Sequence, residues 1–298
     1  MIVHTQKDEE IHLVIIDPNN DFMGHEDGSA YSVRMDTGRI ELADLPVKGA
    51  VKDMQRLARF INKHGMKIHK IHVTLDSHII LDVGHSRMWQ DKKGNYPRKF
   101  TQISAEDIAK GEFAPRDPNE FDRVLKYAYL LESTPGNYKI TIWSDVGHCL
   151  LGTWGHNVYH EVNDALRGWS IGYMGQVNYV MKGMNPWTEH YGALMAEVPD
   201  PSDPSTLLNT KFLEEVRPAD KIVFTGEALS HCFMRSVDQF AEHLGEEYIK
   251  KFVLFRDCTS PIPAIPGVCD FPAIAEAWIE NMKLRGMVVT TSDKFFLD

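Results

Sequence analysis

The sequence has 298 residues, of which 43% are hydrophobic and 25% are charged, close to the average for a folded globular protein. This length is about twice the usual domain size, yet α/β folds often reach it as one domain. The 42 acidic and 32 basic residues give a net charge of −10, which repels nucleic-acid phosphates and anionic lipid surfaces. We therefore expect neither nucleic acid nor a membrane as a partner.

The cysteines and the N-terminus indicate the compartment. Four cysteines are scattered without Cys-x-x-Cys spacing, so we expect free thiols in a reducing cytoplasm. The opening segment MIVHTQKDEE contains no apolar signal sequence. No apolar run approaches the roughly 18 residues of a membrane span. We expect a cytoplasmic protein.

Short β-rich runs alternate with amphipathic helical patterns along the chain. Because parallel strands need helical crossovers, this alternation predicts a three-layer α/β/α sandwich around a doubly wound, mostly parallel sheet. The predicted strands are His12–Ile16, Lys70–Leu75, Lys139–Trp143, Val177–Met181, Lys221–Thr225, Lys251–Phe255 and Met287–Thr290. The predicted helices are Ala50–His64, His156–Trp169, Thr206–Val216, His231–Leu244 and Pro272–Arg285.

Two stretches, residues 23–47 and 86–138, fit this alternation badly. We predict that both are insertions in one domain that spans residues 1–298. The second is rich in aromatic residues, so we expect it to lie over the pocket mouth or in a subunit contact. Its aromatic residues include Trp89, Tyr96, Phe100 and Phe113.

Residue types that carry chemistry gather at the predicted strand ends. Asp17, Asp76, Trp143 and Lys182 lie at the ends of the first four strands, and Cys232 lies on the turn after the fifth. In open parallel sheets, ligands bind in the crevice beyond the carboxyl ends of the strands. These positions therefore predict an active site at that edge.

Cys232 is the candidate nucleophile. It opens an amphipathic helical pattern, and a thiol at a helix N-terminus ionises more easily. Asp17 and Lys182 offer a general base and a cation that would hold a developing oxyanion. Each residue taken alone also has a structural explanation: an inert buried thiol, a helix cap or a surface lysine. The other three cysteines are predicted to be inert.

Asp76 and His78, followed by His85 and His148, offer carboxylate and imidazole ligands. Such a set suits zinc, iron or manganese. The Asp-x-His pair alone is a weak signal, because 14 histidines are enough to produce it by chance.

Together these motifs resemble the isochorismatase-like cysteine hydrolases, and among them the nicotinamidases. The resemblance runs from the first strand to the last, and the order and spacing of the motifs agree with that family. The matching segments are DPNNDF (17–22), LDSH (75–78), HCLLGTWG (148–155), KGMNPWTEHYGA (182–193) and GEALSHC (226–232).

The resemblance implies the catalytic groups. It places the catalytic aspartate, lysine and cysteine of the family at Asp17, Lys182 and Cys232. It also implies a cis peptide between Glu227 and Ala228, and an oxyanion hole formed by the backbone N–H groups of Ala228 and Cys232.

The resemblance also implies one divalent metal ion, zinc or alternatively iron or manganese. Its ligands would be Asp76, His78 and His148, with His85 as an additional candidate. In this family the metal binds the pyridine nitrogen and so positions the substrate. Seven positions separate His78 from His85, which is longer than the usual spacing in nicotinamidases.

Three aromatic residues are the expected substrate contacts. Phe22 matches the aromatic residue of the first motif, and Tyr191 is a second candidate wall. Trp143 lies five positions before His148, whereas the pocket tryptophan of relatives lies three before the equivalent histidine. Core packing is the alternative role for Phe22 and Tyr191.

The sequence thus predicts an amidohydrolase that converts nicotinamide to nicotinate and ammonia through a cysteine acyl-enzyme. We expect a small-molecule amide as its partner, and a homo-oligomer. The alternative is a related cysteine hydrolase that acts on another carboxamide or on a ureido or carbamoyl substrate. A catalytically silent binding module is a further alternative, since fold does not fix function. Isochorismate hydrolysis is disfavoured, because that branch lacks the cysteine and the metal site.

Overall fold

The computed structural model of the protein describes residues 9–265 and 269–297. Residues 1–8, which are most of the N-terminal segment MIVHTQKDEE, lie outside the described residues. The strands of the described part are β1 (Ile11–Ile16), β2 (Ser32–Arg34), β3 (Ile40–Leu42), β4 (Lys70–Asp76), β5 (Trp89–Asp91), β6 (Gln102–Ile103), β7 (Phe113–Pro115), β8 (Ile140–Thr141), β9 (Asn178–Lys182), β10 (Lys221–Gly226), β11 (Phe252–Phe255) and β12 (Val288–Thr290). Its α-helices are α1 (Ala50–His64), α2 (Ala105–Ala109), α3 (Phe121–Glu132), α4 (His160–Tyr173), α5 (Thr210–Val216), α6 (Met234–Leu244) and α7 (Phe271–Leu284).

A six-stranded parallel sheet forms the centre of the molecule. Its strand order is β12-β11-β10-β1-β4-β9. Every residue of β1 is buried, as expected for a central parallel strand that is covered on both faces. The six sheet strands begin and end within one residue of the predicted positions, which confirms the parallel α/β prediction.

Helices cover both faces of this sheet. Phe224 of β10 and Leu254 of β11 are register partners, so their side chains point to the same face. The Phe224 ring packs against Phe240 of α6, with 5.5 Å between the ring centroids. Phe255 follows Leu254 and therefore points to the opposite face, where it packs against Phe60 of α1 at 4.7 Å. Helices α1 and α6 thus lie on opposite faces, which gives the predicted three layers.

The prediction that Lys139–Trp143 is a strand of the main sheet is wrong. Only Ile140–Thr141 is extended, and it pairs antiparallel with Gln102–Ile103. The side chains of Ile140 and Ile142 join a second hydrophobic core, which draws this apolar run away from the sheet. The edge position beside β4 is occupied by β9 instead.

The two predicted insertions differ in structure. Residues 23–47 contain the antiparallel hairpin of β2 and β3, and their last part packs into the main core. Residues 86–138 build most of the second core, which we call the insertion core. Tyr138 packs against both cores. The insertion core consists of Val83, Met88, Trp89, Ile103, Ala105, Ile108, Val124, Tyr127, Ala128, Leu131, Ile140 and Ile142.

Helix α1 has the predicted bounds, whereas the other predicted helices begin or end one to four residues away. The helix expected from His231 begins at Met234, because a wider π-helical turn, Leu229–Phe233, precedes it.

In residues 9–265 and 269–297, the structure has no helix whose length and apolar character would let it span a bilayer.

Candidate active site

The carboxyl ends of the central strands bring the candidate catalytic residues together. Asp17 follows β1 directly, and Cys232 lies in the π-helical turn that follows β10. Asp76 and Lys182 end the neighbouring strands β4 and β9 and are register partners, so they project on the same side. Trp143, expected at a sheet-strand end, instead follows the short strand β8, which pairs with β6 of the insertion, yet it reaches the same pocket.

Lys182 is the centre of this cluster. Its Nζ atom lies 2.8 Å from Asp17 Oδ2 and 3.5 Å from Cys232 Sγ. It also donates to Asp76 Oδ1 at 2.9 Å and to the carbonyl of His190 at 3.0 Å. All five residues are buried. One ammonium therefore joins the candidate base and the candidate nucleophile.

Desolvation governs the protonation of this cluster. Burial raises the pKa of the Cys232 thiol well above its usual value, even though the nearby Lys182 ammonium acts in the opposite direction. Burial also raises the pKa of Asp17, against the effect of Lys182. Burial alone would lower the pKa of Lys182, but the carboxylates of Asp17 and Asp76 raise it well above its usual range.

The expectation that Cys232 ionises easily at a helix N-terminus is therefore wrong for the unliganded site. The thiol lies in the π-helical turn before α6, and the cost of burying a thiolate outweighs the favourable charge of Lys182. Cys232 thus rests as a neutral thiol, so nucleophilic attack needs a proton acceptor beside it.

Ala228 lies four residues before Cys232 on the same turn. The peptide bond between Glu227 and Ala228 is cis. Within the described residues, the Ala228 N–H has no hydrogen-bond acceptor, and Ala228 and Cys232 both line the pocket. The turn therefore offers a free backbone donor close to the thiol.

The pocket over Cys232 is narrow and mostly apolar. The three predicted aromatic contacts, Phe22, Trp143 and Tyr191, all line it. Its volume is about 40 Å³. A cavity that holds a benzene ring is larger, roughly 150 Å³. An aromatic ligand therefore enters only when lining side chains move outward. The apolar lining is completed by Leu45, Val47, Ala228 and Ile262.

Sequence reasoning missed three polar residues that line this pocket: Glu189, His190 and His231. Glu189 Oε1 and His190 Nε2 are buried without a hydrogen-bond partner in the described structure. Burial raises the pKa of Glu189 to about 8 and lowers the pKa of His190 to about 3. Glu189 and His190 lie inside the motif KGMNPWTEHYGA, and His231 precedes the nucleophile, so motif position was the available signal.

Three candidate metal ligands converge at one side of the pocket. Asp76 Oδ2 lies 3.1 Å from His78 Nε2 and 3.2 Å from His148 Nε2. The other ring nitrogen of His78 is 3.0 Å from Asp82 Oδ2, which fixes the ring with Nε2 towards Asp76. One carboxylate and two oriented imidazoles are a donor set that fits a single divalent cation.

His85 contacts His148 rather than Asp76. Its Nδ1 is 3.1 Å from the carbonyl of Ile79, which only accepts, so this nitrogen carries the proton. Its Nε2 then accepts from the backbone N–H of His148 at 3.3 Å and from His148 Nδ1 at 3.0 Å. The lone pair of His85 is thereby engaged. This arrangement favours an orienting role for His85 over that of an additional ligand.

Cys149 is a second candidate for the third ligand position. Ligand atoms of Asp76, His148 and Cys149 all lie within 4.8 Å of one another. A coordinating cation would bind Cys149 as a thiolate. We favour His78 as the third donor, because its Nε2 lies 3.1 Å from Asp76 and Asp82 holds its other ring nitrogen.

No protein-family model matches the chain, and the comparison with curated proteins gives no match. Solved structures do match. The Acinetobacter baumanii nicotinamidase/pyrazinamidase is 15% identical over 98% of this chain and all of its own, with a TM-score of 0.58. The yeast nicotinamidase bound to the inhibitor nicotinaldehyde is 17% identical over 94% and 99%, with a TM-score of 0.56. The L. infantum protein PnC1 in complex with nicotinate is 14% identical over 96% and 94%, with a TM-score of 0.52. The chain therefore has the fold of the nicotinamidases.

Proposed function

We propose that the protein is a nicotinamidase-type amidohydrolase, which converts nicotinamide to nicotinate and ammonia through a cysteine acyl-enzyme. One observation carries this proposal. Cys232 Sγ lies 3.5 Å from the Lys182 ammonium, which also binds Asp17, in a pocket whose other side holds Asp76, His78 and His148. The fold shared with nicotinamidases supports the same activity.

In the proposed reaction, Asp17 takes the thiol proton as the sulfur of Cys232 attacks the carboxamide carbon. The carbonyl π bond breaks, and its oxygen carries the negative charge towards the N–H groups of Ala228 and Cys232. The C–N bond then breaks, and Asp17 returns the proton to the leaving nitrogen, which departs as ammonia. A water molecule then adds to the thioester carbon and the C–S bond breaks. One proton of the water restores the thiol, the other passes to solvent, and the carboxylate leaves.

In this scheme Lys182 binds Asp17 and orients it and the Cys232 thiol. Its ammonium offsets the charge of Asp17 and lies beside the sulfur, so it favours the thiolate that forms during attack. Because the thiol is neutral at rest, attack depends on proton transfer from Cys232 to Asp17. Lys182 contacts both side chains and so keeps them next to each other.

Asp76, His78 and His148 would hold one divalent ion, for which zinc is the first candidate and iron and manganese are alternatives. When bound, the ion would supply Lewis-acid binding for a ring nitrogen. The residues around it would fix the ring, with Phe22, Trp143 and Tyr191 as walls. His85 would orient His148.

The compartment, domain and assembly are also proposals. The four free cysteines support a reducing compartment, and we retain the cytoplasm. The contact of Tyr138 with both cores supports one domain over residues 1–298. A homo-oligomer stays a prediction.

The experiment is ammonia release from nicotinamide by the zinc-loaded protein and two cysteine variants. Cys232→Ala should lose all measurable turnover and keep the wild-type circular dichroism and unfolding midpoint. The matched control is Cys269→Ala, which removes a partly buried thiol outside the pocket and should keep wild-type activity. Substantial turnover by Cys232→Ala would refute the assignment.

A further inference from the structure

Ser260 holds the turn that carries Ala228 from both sides. It lies in the loop after β11, and its backbone N–H donates to Glu227 Oε2 at 3.1 Å. Its carbonyl accepts from the backbone N–H of Leu229 at 2.9 Å. Glu227 and Leu229 flank Ala228, so these two hydrogen bonds fix the backbone on either side of the free Ala228 N–H.

The Ser260 hydroxyl connects the same loop to α1. It donates to Asp53 Oδ2 at 2.5 Å, and the other oxygen of Asp53 accepts from Arg56 at 2.6 Å. Asp53 is buried within α1, with 2% of its surface exposed. A helix on one face of the sheet is thereby tied, through one serine, to the turn beside the nucleophile.

The side chain of Glu227 completes this connection. It is fully buried, and burial together with the neighbouring Asp53 carboxylate raises its pKa well above the usual value. A protonated Glu227 accepts from Ser260 through one oxygen and retains a donor on the other.

A further hydrogen bond joins the loop after β11 to the turn that carries Ala228 and Cys232. The N–H of Ile262 donates to Ser230 Oγ at 3.1 Å.

We propose that Ser260 and Asp53 are positioning residues that keep the Ala228 N–H directed at the oxyanion formed during attack by Cys232. This inference rests on the proposed function. Neither Ser260 nor Asp53 lines the described pocket, so both act through the turn and not on the substrate. Loosening the turn should therefore weaken binding of the tetrahedral oxyanion and leave binding of the planar substrate unchanged.

Two ligands separate these effects. When the Cys232 sulfur adds to the carbonyl carbon of an aldehyde, the C=O π bond breaks and the thiol proton passes to the oxygen. The product is a tetrahedral thiohemiacetal whose oxygen lies where the oxyanion would form. Nicotinaldehyde, the inhibitor in the yeast nicotinamidase structure, is such an aldehyde. Nicotinate has the same ring but forms no adduct of this kind, so it reports on the pocket alone.

The test compares Ser260→Ala and Asp53→Asn with the wild-type enzyme. Loss of one oxyanion donor costs on the order of 10²–10³ in kcat, and a misdirected donor should cost at least about tenfold. We expect kcat to fall by that factor with KM nearly unchanged. The inhibition constant of nicotinaldehyde should rise by a similar factor, while that of nicotinate stays constant. Ser260→Thr keeps the hydroxyl and should restore part of the loss.

Ser202→Ala is the matched control, because that serine also donates its hydroxyl to a carboxylate, Asp200, at 2.6 Å and has no hydrogen bond to the turn, Asp53 or Arg56. It should keep wild-type values. A wild-type kcat and nicotinaldehyde affinity in Ser260→Ala would overturn the inference. So would an equal weakening of nicotinaldehyde and nicotinate, which indicates a deformed pocket. If wild-type protein neither hydrolyses nicotinamide nor binds nicotinaldehyde, the proposed function fails first and this inference falls with it.

Discussion

The ammonium of Lys182 lies 2.8 Å from the carboxylate of Asp17, and both side chains are almost completely buried. A buried charge that loses its partner is costly, by about 3–5 kcal/mol. The same ammonium also binds Asp76, so without it two carboxylates would face each other. The stability of the folded protein and the proposed hydrolysis therefore both depend on Lys182.

Lys182→Met should reduce kcat/KM by at least about 10² and lower the free energy of unfolding by about 3 kcal/mol. Adding Asp17→Asn should recover part of the stability, because one uncompensated carboxylate is removed, but no activity. Urea unfolding and ammonia release check both statements. Additive losses of stability in the double variant would show that the two side chains are not coupled.

Zinc binding should distinguish ligands from orienting residues. Asp76→Ala should abolish stoichiometric zinc binding, since Asp76 contacts both imidazoles. His85→Ala should retain one zinc ion but bind it about 10- to 100-fold more weakly, because His148 loses its orienting partner. Competition titration gives the affinity, and X-ray absorption counts the imidazole ligands. A lower imidazole count in His85→Ala than in wild type would make His85 a ligand.

The 86–138 insertion reaches the pocket indirectly. Tyr127 of α3 is buried in the insertion core, and its hydroxyl accepts the backbone N–H of Glu189 at 2.8 Å. Tyr127→Phe leaves that N–H without a partner, at a cost of about 1–3 kcal/mol, and should raise KM for nicotinamide several-fold. Tyr129→Phe is the control, because Tyr129 lies on the same helix and is 52% exposed. Equal KM values in the two variants would contradict the contact's role.

A chain of hydrogen bonds through two neutral imidazoles crosses the opposite end of the sheet, from the Glu10 carboxylate to the Asn178 amide. His12 Nε2 is 3.0 Å from Glu10, His72 Nε2 is 3.4 Å from His12 Nδ1, and the Asn178 amide donates to His72 Nδ1 at 3.1 Å. Each ring donates once and accepts once, so a proton added to either ring would place two donors face to face. Burial, with His12 and Lys70 nearby, lowers the pKa of His72 to about 3.

The folded protein should therefore lose stability in mild acid. Because the folded pKa of His72 is lowered, its contribution is complete above the unfolded pKa of 6.5 and declines as the pH falls from there towards about 3. Between pH 7.5 and 5.5 this one group should remove about 1.4 kcal/mol. In urea unfolding, His72→Gln should show a smaller loss than wild type over this range. Parallel pH profiles of the two proteins would contradict the prediction.

Local patterns were sufficient for the parallel sheet and for the residues at its ends. Asp76 and Lys182 meet because each ends a strand and the two strands are neighbours in the sheet. The alternation of strands and helices predicted the parallel sheet but not this strand order. The prediction of a sheet strand at Lys139–Trp143 was wrong, because a β-rich run does not show which strand it pairs with. Its partner is β6 in the insertion.

The other features that the sequence did not predict depend on the burial and contacts of side chains in the folded protein. The helix-terminus argument for Cys232 failed because desolvation, which depends on the folded surroundings, raises the pKa of the thiol. Glu189 and His190 were inside a recognised motif, yet only the folded pocket shows that each has a buried, unpartnered atom. Likewise, Ser260 carries no motif, and its role depends on contacts with residues 33 and 207 positions away.

The most direct test of the account is kcat/KM for nicotinamide, benzamide and a linear ureide with the zinc-loaded protein, measured by ammonia release. Benzamide has the ring and the carboxamide but lacks the nitrogen that a metal at Asp76, His78 and His148 would bind. We predict that nicotinamide exceeds benzamide by about 10² or more and that the ureide is a poor substrate. Equal values for nicotinamide and benzamide, or a preference for the ureide, would contradict a pyridine carboxamide as the substrate.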